Sequence, residues 1–253
     1  MKTKTSILLE RFKVTDTVNI MGIDFLNTDK QTFIDDITAR AGAGKKSFIV
    51  TANPEIVMLA KENSEYREAV MQADYTIPDG AGVVIASRLQ KQPLQERVAG
   101  FEVMTELIGR ADGNNLSCYF LGASKEVNQR MVAKLKELHP ELNVAGHHHG
   151  FFDLDDRQVV DDVIQAKADF IFVALGVPRQ ELWITKYLSE FEKGTFIGVG
   201  GSFDIIAGEV KRAPEIWIKL NLEWLYRLLK QPFRWKRILK VFEFIFRILF
   251  KRY

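Results

Sequence analysis

Six strand-length runs rich in β-branched and aromatic residues recur along this chain, and segments of helical period fill the gaps between them. The runs are SFIVTA (47–52), YTIP (75–78), CYFLGA (118–123), NVAGH (143–147), FIFVAL (170–175) and TFIGVG (195–200). Each is too short for a stable helix and rich enough in Val, Ile, Phe and Tyr for a buried strand. Glu55–Met71, Gly100–Arg110, Lys125–Leu138, Asp155–Ala166 and Arg179–Phe191 read as the intervening helices, with another over 80–89. Strand and helix in strict alternation predict an α/β fold: a Rossmann-like, mostly parallel sheet flanked by helices. Residues 18–25 (VNIMGIDF) add an edge strand or a hairpin, and no internal repeat occurs.

The 253 residues, 47% hydrophobic and 27% charged, hold enough apolar mass for one large domain or a domain with an appendage. Cys118, the single cysteine, has no intrachain disulfide partner and sits in an apolar run, which reads as a buried thiol in a reducing compartment. The N-terminal MKTKTSILLERFK has too small an apolar run for a signal peptide, so a cytoplasmic protein is expected.

Charge is unevenly distributed. From Lys211 onward there are 12 Lys and Arg against 3 Glu, whereas the rest carries 23 against 30. A basic tail behind a mildly acidic body points to an anionic partner such as phosphate, nucleic acid or a membrane surface. The expected division is an α/β core over 1–208 and a basic helical appendage over 209–253.

In a doubly wound sheet, ligands bind at the carboxyl ends of strands, where following helices present unpaired N–H groups. Three junctions therefore matter: Thr51-Ala52-Asn53-Pro54, Pro78-Asp79-Gly80, and the glycine-rich 198–204 segment GVGGSFD. Asn53 also makes a good helix cap before Pro54, and Asp79 could cap the helix that follows it.

Several tempting motifs fail on spacing. ARAGAGKKS (39–47) lacks the phosphate-loop spacing and precedes a strand, so it reads as a loop. GVGGSF (198–203) lacks the third glycine of a dinucleotide fingerprint. Asp153-Leu154-Asp155 matches the D-x-D of metal-dependent sugar transferases, yet reads better as acids entering a helix. His147-His148-His149 has no zinc spacing, since neighbours on a strand point to opposite faces. No metal or cofactor is expected.

From Pro214 the pattern is helical, with a break at Gln231-Pro232. Ile216, Trp217, Leu220, Trp224 and Leu228 share one face, into which Arg227 also points. In the second helix Phe233, Ile238, Val241, Phe242, Phe244, Ile245, Ile248 and Leu249 form one apolar side, with Arg234 and Arg237 directed into it. Buried unpaired guanidiniums are costly, so these arginines call for an anionic partner or a lipid interface. No run reaches the ~18 apolar residues that span a bilayer, and the composition suits a helix lying on a membrane surface.

The ordered set TANPEIV, ADYTIPDGAGVV, ERVAGFEV, GHHHGFF, ALGVPRQELW and GVGGSFDIIAGEVKRAPEIWIKLNLEWLYRLLKQPFR closely resembles the WecG/TagA/CpsF glycosyltransferases, glycosyltransferase family 26. The match runs from about Met21 to Arg237. The resemblance implies inverting, metal-independent enzymes at the cytoplasmic face of the membrane. They transfer a sugar from a UDP donor to a sugar on a polyprenyl diphosphate during assembly of wall teichoic acid or another surface polysaccharide. The most similar branch adds N-acetylmannosamine in β-1,4 linkage to undecaprenyl-diphosphate N-acetylglucosamine.

By matched motif positions, the resemblance implies that Asp79 and Thr51 form the catalytic centre, Asp79 as base. Asn53, Arg97, Gln180, Gly200, Gly201 and Asp204 would surround donor and nucleotide, and Phe151 would stack on uracil where relatives often carry Tyr. Arg227, Arg234 and Arg237 match arginines thought to complete the site. Ala52 replaces a common proline. Thr51 and Asn53 fit the orienting of sugar hydroxyls, neither being a useful base near neutral pH.

The implied partners are the UDP-sugar, the lipid-linked GlcNAc acceptor and an anionic membrane surface, with a homo-oligomer left open and no nucleic acid. Two alternatives stay open: the same fold with UDP-N-acetylmannosaminuronic acid or another UDP-hexose, and a non-catalytic nucleotide-binding module held at the membrane.

Overall fold

The computed structural model describes residues 16–219, 223–230 and 235–250. Six parallel strands form the central sheet: β3 (Ser47–Ala52), β4 (Tyr75–Pro78), β5 (Ser117–Gly122), β6 (Asn143–His148), β7 (Phe170–Ala174) and β8 (Thr195–Gly198). Their order is β4-β3-β8-β7-β5-β6. A separate antiparallel hairpin, β1 (Thr17–Ile20) and β2 (Ile23–Leu26), lies beside β4 and protects that edge.

Side-chain alternation along the strands builds two cores. Phe48, Val50, Leu121, Val173 and Phe196 point to one face, and Ile49, Phe120, Phe172 and Ile197 to the other. Helices α2 (Pro54–Glu62), α3 (Ser64–Met71), α4 (Ala81–Leu89), α7 (Arg157–Gln165) and α8 (Arg179–Tyr187) cover the first face. Helices α1 (Lys30–Gly42), α5 (Gly100–Asn114), α6 (Lys125–Leu138) and α9 (Ser202–Ile206) cover the second. The fold expected from the sequence is therefore present, strand for strand.

Local chemistry explains where the sequence reading and the structure differ. The expected Glu55–Met71 helix is two helices, because Asn63 ends α2 and caps α3 by accepting from Tyr66 N at 2.9 Å. Helix α1 escaped the sequence reading. It is capped by Asp29 and buries Phe33, Ile34 and Ile37, and it takes in residues 39–42 of the segment read as a loop. The acids near Asp153 do serve the loop and helix entry: Asp155 N donates to Asp153 Oδ1, and Asp156 caps α7.

The C-terminal residues supply α10 (Glu215–Lys219), α11 (Glu223–Lys230) and α12 (Trp235–Leu249). Helix α12 packs on α2 and α4, and Phe244 is fully buried in their core. Its apolar residues do not form one side. Val241, Phe244, Ile245 and Ile248 face the body, whereas Trp235, Leu239, Phe242, Phe246 and Leu249 make a second, exposed stripe. Lys240, Glu243 and Arg247 form a third stripe, so the three directions lie roughly a third of a turn apart at ~100° per residue. No helix among the described residues is long and apolar enough to cross a membrane.

Candidate active site

Strands β3 and β8 are neighbours, but the helices that follow them, α2 and α9, lie on opposite faces of the sheet. Their carboxyl ends therefore open into the crevice of a topological switch point. A cavity of about 600 Å³ occupies it. Thr51, Asn53, Asp79, Arg97, Gln180, Gly200, Gly201 and Asp204, all singled out from the sequence, line this one cavity.

Asp79 follows β4 directly, and its N–H donates to Ala52 O at 2.9 Å, fixing it against the end of β3. Gly80, not Asp79, takes the N-cap position of α4, at φ +106 where a side chain would be strained. Two residues on, a Cβ at Gly82 would lie 2.6 Å from Pro54 Cγ, so glycine lets α4 approach α2, and the Cβ position of Gly80, next to Asp79, lies 3.8 Å from Asn53 Cβ.

Asn53 plays the structural role allowed for it. Its Oδ1 accepts from Glu55 N at 2.9 Å and Ile56 N at 3.1 Å, capping α2. The group left to face a ligand is the amide NH₂. Thr51 is buried, and its hydroxyl donates to Gly198 O at 2.8 Å, clamping β3 to β8 at the cavity floor. That proton is committed, leaving the oxygen lone pairs for a ligand.

On the opposite wall Gln180 joins the glycine-rich turn to α8: its Oε1 accepts from Gly200 N at 3.2 Å, and its Nε2 donates to Glu181 Oε1 at 2.7 Å. Glu181 has no solvent exposure, and burial pushes its carboxyl up to about 7 despite the Gln180 hydrogen bond. Among the described residues neither its Oε2 nor the nearby Tyr66 hydroxyl has a well-formed hydrogen bond. Burial also raises the Asp204 carboxyl, helped by Glu209.

Cations gather at one end. Glu102 in the first turn of α5 binds Lys30 Nζ at 3.1 Å, Arg97 at 3.2 Å and Arg212 at 2.6 Å. Burial works against its ionisation, but the three cations together hold it below the ordinary glutamate value. Arg97 also meets Glu223 of α11 at 3.5 Å.

Phe151 is 76% exposed on the loop after β6 and does not line the cavity. Arg234 lies outside the described residues, as do the side chains of Arg227 and Arg237. Sequence reasoning missed Glu102, Glu181, Arg212 and Glu223. Glu102 reads locally as an ordinary first-turn acid, whereas Arg212 stood inside the quoted GEVKRAPE run and could have been found there. No group of three or more His, Cys, Asp or Glu side chains converges among the described residues.

Fold and cavity together define a doubly wound α/β protein with a polar, cation-bearing cleft at its switch point. The chain belongs to the glycosyl transferase WecG/TagA/CpsF family, whose model matches residues 18–253. It is 39% identical over 234 residues to an N-acetylglucosaminyldiphosphoundecaprenol N-acetyl-beta-D-mannosaminyltransferase of Bacillus spizizenii, covering 92% of this chain and 91% of the relative. Proteins of the same name from Staphylococcus aureus strains MRSA252 and MW2 are each 44% identical over 226 residues, covering 88% of this chain and 87% of theirs.

Proposed function

We propose that this glycosyltransferase moves N-acetylmannosamine from UDP-N-acetylmannosamine to O4 of the GlcNAc on undecaprenyl diphosphate. The linkage formed is β-1,4, made with inversion and without a metal ion, in synthesis of wall teichoic acid or a related surface polymer. The observation that carries the reading is the convergence of Asp79, Asn53, Thr51 and Arg97 on one cavity at the switch point. Its volume falls in the ~300–1,000 Å³ range typical of small-ligand sites. The names of the relatives supply donor sugar and acceptor.

In this reading the acceptor O4 attacks the anomeric carbon while Asp79 takes its proton, and the bond from that carbon to the UDP oxygen breaks. UDP leaves with the electron pair on the opposite face, which inverts the centre. Charge developing on UDP is met by guanidiniums and by N–H groups at helix starts. The Asn53 amide and the Thr51 oxygen orient sugar hydroxyls. Aspartate-mediated proton transfer of this kind contributes ~10²–10⁴-fold to rate. Asp79→Asn should therefore fold normally and lose turnover by about that factor; near-wild-type turnover would remove Asp79 from the role of base.

The exposed aromatic stripe of α12, flanked by Lys240 and Arg247, supports a peripheral position on the anionic inner face of the membrane, where the lipid-linked acceptor would be met. The defining test mixes purified protein with a short-chain lipid-diphosphate GlcNAc and, separately, UDP-N-acetylmannosamine, UDP-N-acetylmannosaminuronic acid and UDP-glucose, with and without EDTA. Product masses reading N-acetylmannosamine transfer, unaffected by EDTA, are expected. Turnover of the uronic acid donor alone, or of none, would overturn the assignment.

A further inference from the structure

The cationic end of the cavity holds a group that the proposed mechanism does not name. Arg212 lines the cavity, its guanidinium 4.7 Å from the Phe101 ring centre and 2.6 Å from Glu102. Stacking and ion pairing hold its fork in place, as anion recognition requires. Glu102 holds Arg97 and Lys30 as well, so one carboxylate orients three cations. The only further carboxylate paired with this group among the described residues is Glu223, which arrives from α11 and reaches Arg97 at 3.5 Å. Both partners of that contact are mostly buried, Arg97 15% and Glu223 14% exposed at the side chain, and both line the cavity.

Among the described residues, three cations therefore meet two carboxylates, and one of the two belongs to a separate element. If Glu223 withdraws, Arg97 and Arg212, which line the cavity, share Glu102 with Lys30, and the cavity wall gains one unit of positive charge beside a guanidinium freed to meet an anionic group. We propose that Arg212 is a donor-binding residue that holds the diphosphate of the nucleotide together with Arg97, both aimed by Glu102, and that Glu223 occupies this pole until nucleotide displaces it. The inference rests on the UDP-donor reading of the site. Glu102 acts as a positioning residue, since it touches the cations and not the ligand. Arg97 exchanges one carboxylate for a diphosphate, so its guanidinium stays desolvated and paired throughout, which avoids the cost of an isolated buried charge.

Equilibrium titration of the full chain with UDP and, in parallel, with uridine tests this. Uridine carries the base and ribose without phosphate, so a general structural defect weakens both ligands and a lost phosphate contact weakens UDP alone. Arg212→Ala and Glu102→Gln should each weaken UDP at least tenfold and leave uridine unchanged, with Arg212→Lys recovering part of the loss. Glu223→Gln should tighten UDP severalfold, because the competitor for Arg97 is gone. Unchanged UDP binding in Arg212→Ala, equal weakening of both ligands, or weaker UDP binding in Glu223→Gln overturns the inference. Failure of the wild-type chain to bind UDP sinks the UDP-donor reading and this inference with it. Wild-type UDP binding with an unaffected Arg212 variant sinks the inference alone.

Discussion

Glu181 is a carboxylic acid with no solvent contact that serves as the acceptor fixing the Gln180 amide against the glycine-rich turn. Its folded value near 7 lies above that of an exposed glutamate. Between the ordinary glutamate range and pH 7 the native state holds a proton that the unfolded state has released, so this group lowers stability as pH rises through that window. Above pH 7 the full cost is present, on the order of 3–4 kcal/mol. Glu181→Gln should accordingly raise the melting temperature relative to wild type at pH 8, with the gap closing toward pH 5. A gap independent of pH would mean that Glu181 is not the titrating group. Asp79, at the end of edge strand β4, was legible from sequence because a lone acid at a strand end is conspicuous. Glu181 was not, since only packing turns an ordinary acid in a helix into a buried one.

At the scale of elements, Asn53 has one role in the fold and one in the proposed mechanism, and substitution can separate them. Its Oδ1 caps α2, and its amide NH₂ is left for the ligand. Asn53→Ser keeps a capping oxygen and should hold stability within a few tenths of a kcal/mol while reducing kcat/KM. Asn53→Ala should lose about 1 kcal/mol as well. Thermal denaturation beside steady-state kinetics distinguishes the two, and equal activity in both variants and wild type would show that the amide makes no ligand contact. The strand assignments came from runs of β-branched and aromatic residues and matched to within about two residues. Helix boundaries were less legible. The α2–α3 break depends on the Asn63 side chain turning back to cap α3, an event that periodicity does not register.

For the whole molecule, the C-terminal helices both line the cavity and present an exposed apolar stripe. Phe244 and Ile248 anchor α12 in the core shared with α2 and α4, while Glu223, Trp224, Leu228 and Val241 line the cavity. The exposed stripe containing Phe242 and Phe246 then faces outward. Replacing both phenylalanines with serine should leave the circular dichroism unchanged and reduce co-sedimentation with anionic vesicles severalfold. Undiminished sedimentation would place the membrane contact elsewhere.

Strand and helix alternation and the switch-point junctions bearing Asn53 and Asp79 were determined by local pattern, because hydrophobic period and junction chemistry are properties of short segments; Gln180 came from the resemblance of the ALGVPRQELW run to the family. The division of α12 into a core stripe and an exposed stripe was decided only by tertiary structure, as were the burial of Glu181 and the sharing of Glu102 among Lys30, Arg97 and Arg212. Those outcomes depend on distances between segments far apart in the chain, and a one-dimensional pattern carries charge and period but not the dielectric or the neighbours that give a side chain its final chemistry.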